Sequence, residues 1–141
     1  MSRDITVEVD LPHPPALVWS ALTDPEALAT WLMPVEDFAP VVGQKFVLRA
    51  KPMPGWDGIV HCEVTEVDEP HVLTYAWRGS AMRHTTTVRW QLSAVDNGTR
   101  LRLEHNGFTG LAGLLLQFMH STGWRRIVRT RLAGHLGSTV T

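Results

Sequence analysis

His105 is the residue whose type and setting most invite a chemical reading. In TRLRLEHNGF (99–108), Leu101, Leu103 and His105 share one face, and Arg100, Arg102 and Glu104 share the other. Strand side chains alternate, so a face that buries two leucines also carries the imidazole inward. The plain reading is a core histidine bonded to backbone or water. The sharper reading is a polar contact in a pocket, or a general base. A base needs an orienting partner and a substrate within reach, and Glu104 points the other way. Arg131 raises a similar question, because a helical wheel places it near Trp124 on the apolar side of the last helix. Arginines so placed most often bury the stem and solvate the head. The alternative is an anion anchor at a cavity mouth, which needs a partner because a bare buried guanidinium is costly. Glu63 qualifies if its strand face is inward. The 58–68 run has apolar residues of both parities, which predicts a bulge there.

Aromatic residues form the second group. The chain has six tryptophans in 141 residues. Tyr75 and Trp77 share a face with Leu73, and Trp90 shares one with Val88 and Leu92. Trp31 and Trp124 approach from helices. Each is expected in the core, but a surplus of large rings also suits a cavity with aromatic walls. Trp77, Trp90 and Trp124 are the expected wall residues.

Other chemistries find little support. The seven histidines show no HExxH or similar spacing, so neither a metal nor a cofactor is expected. There is no phosphate-cradling glycine loop and no G-x-S-x-G. Cys62 is the only cysteine, which excludes an internal disulfide, and it lies in a strand pattern unsuited to a nucleophile. With 13 basic and 14 acidic residues, nothing points to nucleic acid. The apolar stretch LAGLLLQFM (111–119) falls far short of the roughly 20 residues of a membrane span. The start, MSRDITVEVDL, has no signal-peptide block, so a cytoplasmic protein is expected.

The elements that must position these residues follow from periodicity. ITVEVDL (5–11) alternates as a strand. Residues 16–22 read as a helix. A second helix restarts at 23–32, with Thr23 or Asp24 as cap, Pro25 in the first turn and Glu26 at the positive end. Val18, Leu22, Leu28, Trp31 and Leu32 are expected to be buried. Strands are predicted at 35–39, 44–50, 58–68, 71–78, 84–95 and 99–107. Turns are expected at Val42-Gly43, Pro54-Gly55, Asp68-Glu69-Pro70 and Asn97-Gly98. After Gly110 the pattern is helical, through LAGLLLQFMHS (111–121) and on to residue 136. The 111–121 segment is expected as core, with a lid or a dimer contact as alternatives. The order is one strand, two short helices, six antiparallel strands and a long helix, which is an α+β domain over residues 1–141.

Four stretches in register resemble the START-like, helix-grip superfamily. They are PPALVWSALTDPEALATWLMP (14–34), EVTEVDEPHVLTYAW (63–77), TTTVRWQLSAVDNGTRLRLEHNGF (85–108) and GW (123–124). More narrowly, the chain resembles the family named for the activator of the 90-kDa heat-shock protein's ATPase. The resemblance implies a seven-stranded antiparallel sheet curled around one long C-terminal helix, with a cavity between them. In related folds that cavity binds lipids, steroids, hormones or polyketides. Activation of the chaperone belongs to eukaryotic members with an additional N-terminal domain. With the first strand expected at about residue 5, that reading is weakened here and a chaperone partner has no other support.

The leading functional expectation is binding of a small apolar or amphipathic ligand, with no committed catalysis. Trp31, Tyr75, Trp77, Trp90, His105, Trp124 and Arg131 are the candidate contacts. The alternatives are an enzyme of the cyclase, dehydratase or hydrolase kind in the same cavity, and a chaperone-linked interaction module. A homodimer is left open.

Overall fold

The computed structural model describes residues 4–80, 82–108 and 119–139. Seven strands form one antiparallel sheet: β1 (Ile5–Leu11), β2 (Val35–Glu36), β3 (Lys45–Arg49), β4 (Ile59–Asp68), β5 (Val72–Gly79), β6 (Thr86–Val95) and β7 (Gly98–Asn106). Their spatial order is β1-β7-β6-β5-β4-β3-β2. From β3 onward, each strand pairs with its successor, and β7 then closes back on β1. The strand expected over 35–39 contracts to the two residues of β2.

Two helices, α1 (Pro15–Thr23) and α2 (Pro25–Trp31), join β1 to β2. Asp24 separates them and also caps α2, its carboxylate accepting from the Glu26 backbone N–H. The last helix, α3, is described over residues 119–139. Its middle, Ile127–Leu132, is π-helical, and Ala133–Thr139 returns to α geometry. Most of the apolar 111–121 segment lies outside the described residues.

The inward residues of the strands meet the helices in one core. All five residues expected to be buried on α1 and α2 are buried. Along α3, Trp124, Val128, Leu132 and Leu136 bury every fourth side chain against that core. β4 contains the expected bulge: its register with β5 shifts between Val64 and Glu66. Val60, Cys62 and Val64 point inward before the shift, so Glu63 lies on the outer face.

The β6–β7 reversal comes one residue earlier than the Asn-Gly signal suggests. Val95 pairs with Gly98, so Asp96 and Asn97 are the turn. Gly98 is required for another reason. A Cβ there would collide with the Leu11 carbonyl oxygen, at the point where β1 hands over to the first helix.

Candidate functional site

His105 sits on the inner face of β7, fully buried, between Ile5 of β1 and Val88 of β6. Both ring nitrogens are engaged. The Trp124 Nε1–H donates to His105 Nδ1 at 2.9 Å. His105 Nε2 lies 2.7 Å from Thr86 Oγ1, and that hydroxyl donates to the Trp77 carbonyl at 2.8 Å. An indole N–H only donates, so Nδ1 must accept. The proton therefore resides on Nε2 and is given to Thr86. The chain runs Trp124 to His105 to Thr86 to the Trp77 backbone, and each donor meets one acceptor. Burial, and secondly the nearby His120 ring, hold the His105 pKa well below the usual histidine range. The ring is a neutral connector between α3 and the sheet, with no lone pair left to take a proton.

A cavity of about 380 Å³ opens beside this chain of bonds, between the sheet and residues 119–127 of α3. Trp77 and Val60 form its sheet wall, and Gly123, Trp124 and Ile127 form its helix wall. Trp77 and Trp124 contact each other with ring centroids 5.3 Å apart. The Trp77 indole Nε1 is buried with no hydrogen-bond partner among the described residues. The loop between β3 and β4 closes a third side. There Met53 and Trp56 exchange backbone hydrogen bonds, both at 2.9 Å, across the Pro54-Gly55 turn. Gly55 has φ of 83°, as the second central residue of a type II turn requires. Met33, Met53, Met82 and Met119 also line the space, four of the chain's five methionines. His120 is the only titratable residue among the described lining residues. Its ring stacks edgewise on His105 at 5.2 Å.

The structure thus sorts the seven candidates. Trp77 and Trp124 line the cavity, and His105 lies directly behind them. Trp90, expected in the wall, is instead in the core. It packs edgewise between Trp31 and Trp124 and donates to the Tyr75 hydroxyl at 2.9 Å. Trp31 and Tyr75 belong to the same buried layer, and the Trp31 indole donates to the Ala21 carbonyl. Arg131 is far from the expected apolar side. It is exposed and donates to the Thr30 and Leu32 carbonyls at 3.3 and 3.5 Å, near the end of α2. A wheel of 3.6 residues per turn misplaces it because the π-helical stretch turns more slowly. Glu63, on the outer sheet face, is not its partner.

Sequence reasoning missed the methionines, Trp56, His120 and Gly123. One signal was present: His120 and Trp124 are four apart, a spacing that puts two residues on one helix face. The other residues are brought together by loops whose course no periodicity records. Cys62 is buried, and burial pushes its thiol pKa up, which leaves it inert. Among the described residues no cluster of His, Cys, Asp and Glu is placed to hold a metal. No described helix is long and apolar enough to cross a membrane.

Comparison with known proteins places this arrangement. The chain is similar to protein MLL2253 from Mesorhizobium loti, with 30% identity and a TM-score of 0.86 over 96% of this chain and 98% of that one. It is similar to BH1534 from Bacillus halodurans, with 26% identity and a TM-score of 0.78 over 94% and 96%. The fold is also that of the Aha1 dimer from Colwellia psychrerythraea, with 20% identity and a TM-score of 0.75 over 90% and 91%. No curated protein sequence matches. The family model described as Activator of Hsp90 ATPase homolog 1-like protein matches residues 12–137, and with the helix-grip architecture already in view the chain belongs to that family.

Proposed function

We propose that this protein binds a small apolar or amphipathic molecule in the cavity between its sheet and α3, with no committed catalysis. The observation that carries this reading is the make-up of the wall: methionine, tryptophan and aliphatic side chains around about 380 Å³, with one imidazole. That volume falls at the lower end of the roughly 300–1,000 Å³ of small-molecule pockets, which are also mostly apolar with few polar groups. Methionines suit such a site because a flexible thioether adapts to the shape it meets.

The enzyme alternative lacks a proton acceptor where the sequence suggested one, since both His105 nitrogens are bonded within the protein. The chaperone-linked alternative rests on the family description, and no feature of the cavity favours it. The dimer formed by the Colwellia protein raises a homodimer as a separate proposal, which analytical ultracentrifugation decides.

The cavity reading is tested with the neutral dye N-phenyl-1-naphthylamine and with Gly123→Leu. Gly123 lines the cavity, and a Cβ there meets nothing within 4 Å, so a leucine would project into the space. Wild type is expected to bind the dye with enhanced fluorescence, and Gly123→Leu to bind it about tenfold more weakly or worse. Equal binding by the two proteins, with Gly123→Leu folded, would overturn the reading. Native mass spectrometry of the purified protein should also show a co-purified small molecule.

A further inference from the structure

The charges of this chain are divided by location. Of the elements that border the cavity, the two loops 50–58 and 79–85 and the helix residues 119–139 together hold six of the 13 Lys and Arg but one of the 14 Asp and Glu, Asp57. The other acidic residues lie on or beside the strands or at the start of α2. Among the described residues the ion pairs all lie on the sheet, although Lys45 and Arg78, also on strands, form none. Arg49, Arg89, Arg100 and Arg102 each form an ion pair with a carboxylate, and all four lie on strands. Lys51, Arg83 and Arg126 are exposed and have no ion pair among the described residues. Each stands close in sequence to a different group of lining residues. Lys51 is on the Met53–Trp56 loop, and Arg83 follows the lining residue Met82. Arg126 stands three residues after Gly123 and seven after Met119, on one helix stripe.

Part of the apolar exposure lies at the same place. Four large hydrophobic residues stand out of the described surface, and two of them, Met53 at 55% and Met119 at 53%, line the cavity. Met53 is carried on the Pro54-Gly55 turn, which is pinned by its paired backbone hydrogen bonds. An apolar finger, an apolar cavity and three unpaired cations together match one kind of surface. An anionic lipid bilayer presents negative headgroups to the cations and hydrocarbon to the methionines.

We propose that the cavity end of the protein docks on anionic membranes, with Lys51, Arg83 and Arg126 on the headgroups and the Met53 turn and Met119 in the interface. This extends the cavity reading, on which it rests for the idea that the ligand enters from the lipid phase. The affinity is modest, because three cations and two methionines give a reversible attachment that salt weakens.

The test is co-sedimentation of the full chain with phosphatidylcholine vesicles, with and without phosphatidylglycerol. Binding is expected only with phosphatidylglycerol, and is expected to fall at high salt. Lys51→Gln/Arg83→Gln/Arg126→Gln should lower partitioning about tenfold or more. Met53→Asp should lower it as well, through the lost apolar contact. Removing three outer-face cations, by Arg89→Gln/Arg100→Gln/Arg102→Gln, should leave it within about twofold, because those charges lie on the sheet face opposite the cavity. Lipids with brominated acyl chains should quench wild-type tryptophan fluorescence, and the quenching should diminish in Trp56→Phe. Partitioning that ignores phosphatidylglycerol, or that the Lys51, Arg83 and Arg126 changes leave intact, overturns the proposal. The two readings fail separately. The charge variants should keep dye binding, and loss of dye binding in wild type with vesicle binding retained would sink the cavity reading alone.

Discussion

At the scale of single residues, the sequence brought His105 inward correctly, because alternation along β7 is a local property. It could not say what the ring meets, since Trp124 and Thr86 come from other elements. The bonded arrangement has consequences for mutation and for pH. Thr86→Val would leave the Nε2–H of a buried imidazole without its acceptor. A cost of about 1–3 kcal/mol is expected in urea unfolding, while Thr86→Ser should restore most of it. The pH effect has a definite sign. In the unfolded chain the imidazole titrates near ~6.5, and in the folded protein its pKa lies well below that. Below pH ~6.5 the unfolded state therefore takes up a proton that the folded state refuses. Stability is full above that pH and falls as pH drops, with a slope of up to about 1.4 kcal/mol per pH unit. His120 faces the same ring at 5.2 Å, so the useful quantity is a difference between wild type and a His105 variant. His105→Gln should be less stable at neutral pH but should have a flatter profile between pH ~6.5 and ~5 than wild type. An unchanged slope in chemical denaturation would show that His105 is not the group refusing the proton.

At the scale of elements, strands were legible because one face of each is buried and period-2 alternation records that directly. The bulge in β4 was legible for the same reason, as a change of parity within one run. The last helix was legible as a helix but not in its rotation. Its burial recurs every fourth residue through a π-helical stretch, so a wheel of 3.6 residues per turn sends Arg131 to the wrong side. Glycines make the element scale testable. Gly134 lies in the α-helical end of α3, is exposed, and would place a Cβ in open space. Gly134→Ala should therefore stabilise the protein by about 1 kcal/mol, the difference in helix propensity. Gly98→Ala should act in the opposite direction, because its Cβ would meet the Leu11 backbone, which has no side-chain freedom to yield. A thermal melt of the two variants should place one above wild type and the other below it. Equal melting temperatures would mean that the β1–β7 approach is looser than its geometry implies.

At the scale of the whole molecule, the seven candidates fell into two layers that sequence could not separate. Trp77 and Trp90 both alternate inward from neighbouring strands, yet Trp77 borders open space and Trp90 is enclosed by Trp31, Trp124 and Tyr75. What separates them is the curvature of the sheet and the place where α3 crosses it, and neither leaves a period in the chain. A cavity at that junction affects stability as well as binding. Its walls lose dispersion contacts wherever no atom faces them, and an occupant restores those contacts. Because the occupant binds the folded state alone, it stabilises by RT ln(1 + [L]/Kd), about 2.7 kcal/mol when free ligand is a hundred times Kd. For a domain of this size, a shift of that order moves the melting temperature by several degrees. Stripping the purified protein on a hydrophobic resin should therefore lower its melting temperature, and adding back N-phenyl-1-naphthylamine should raise it again. In Gly123→Leu, whose own side chain takes the place of the occupant, both shifts should shrink. If stripping and dye leave the melting temperature of wild type where it was, the space beside Trp77 and Trp124 is a packing gap that the fold tolerates, and small-molecule binding must be sought elsewhere on the molecule.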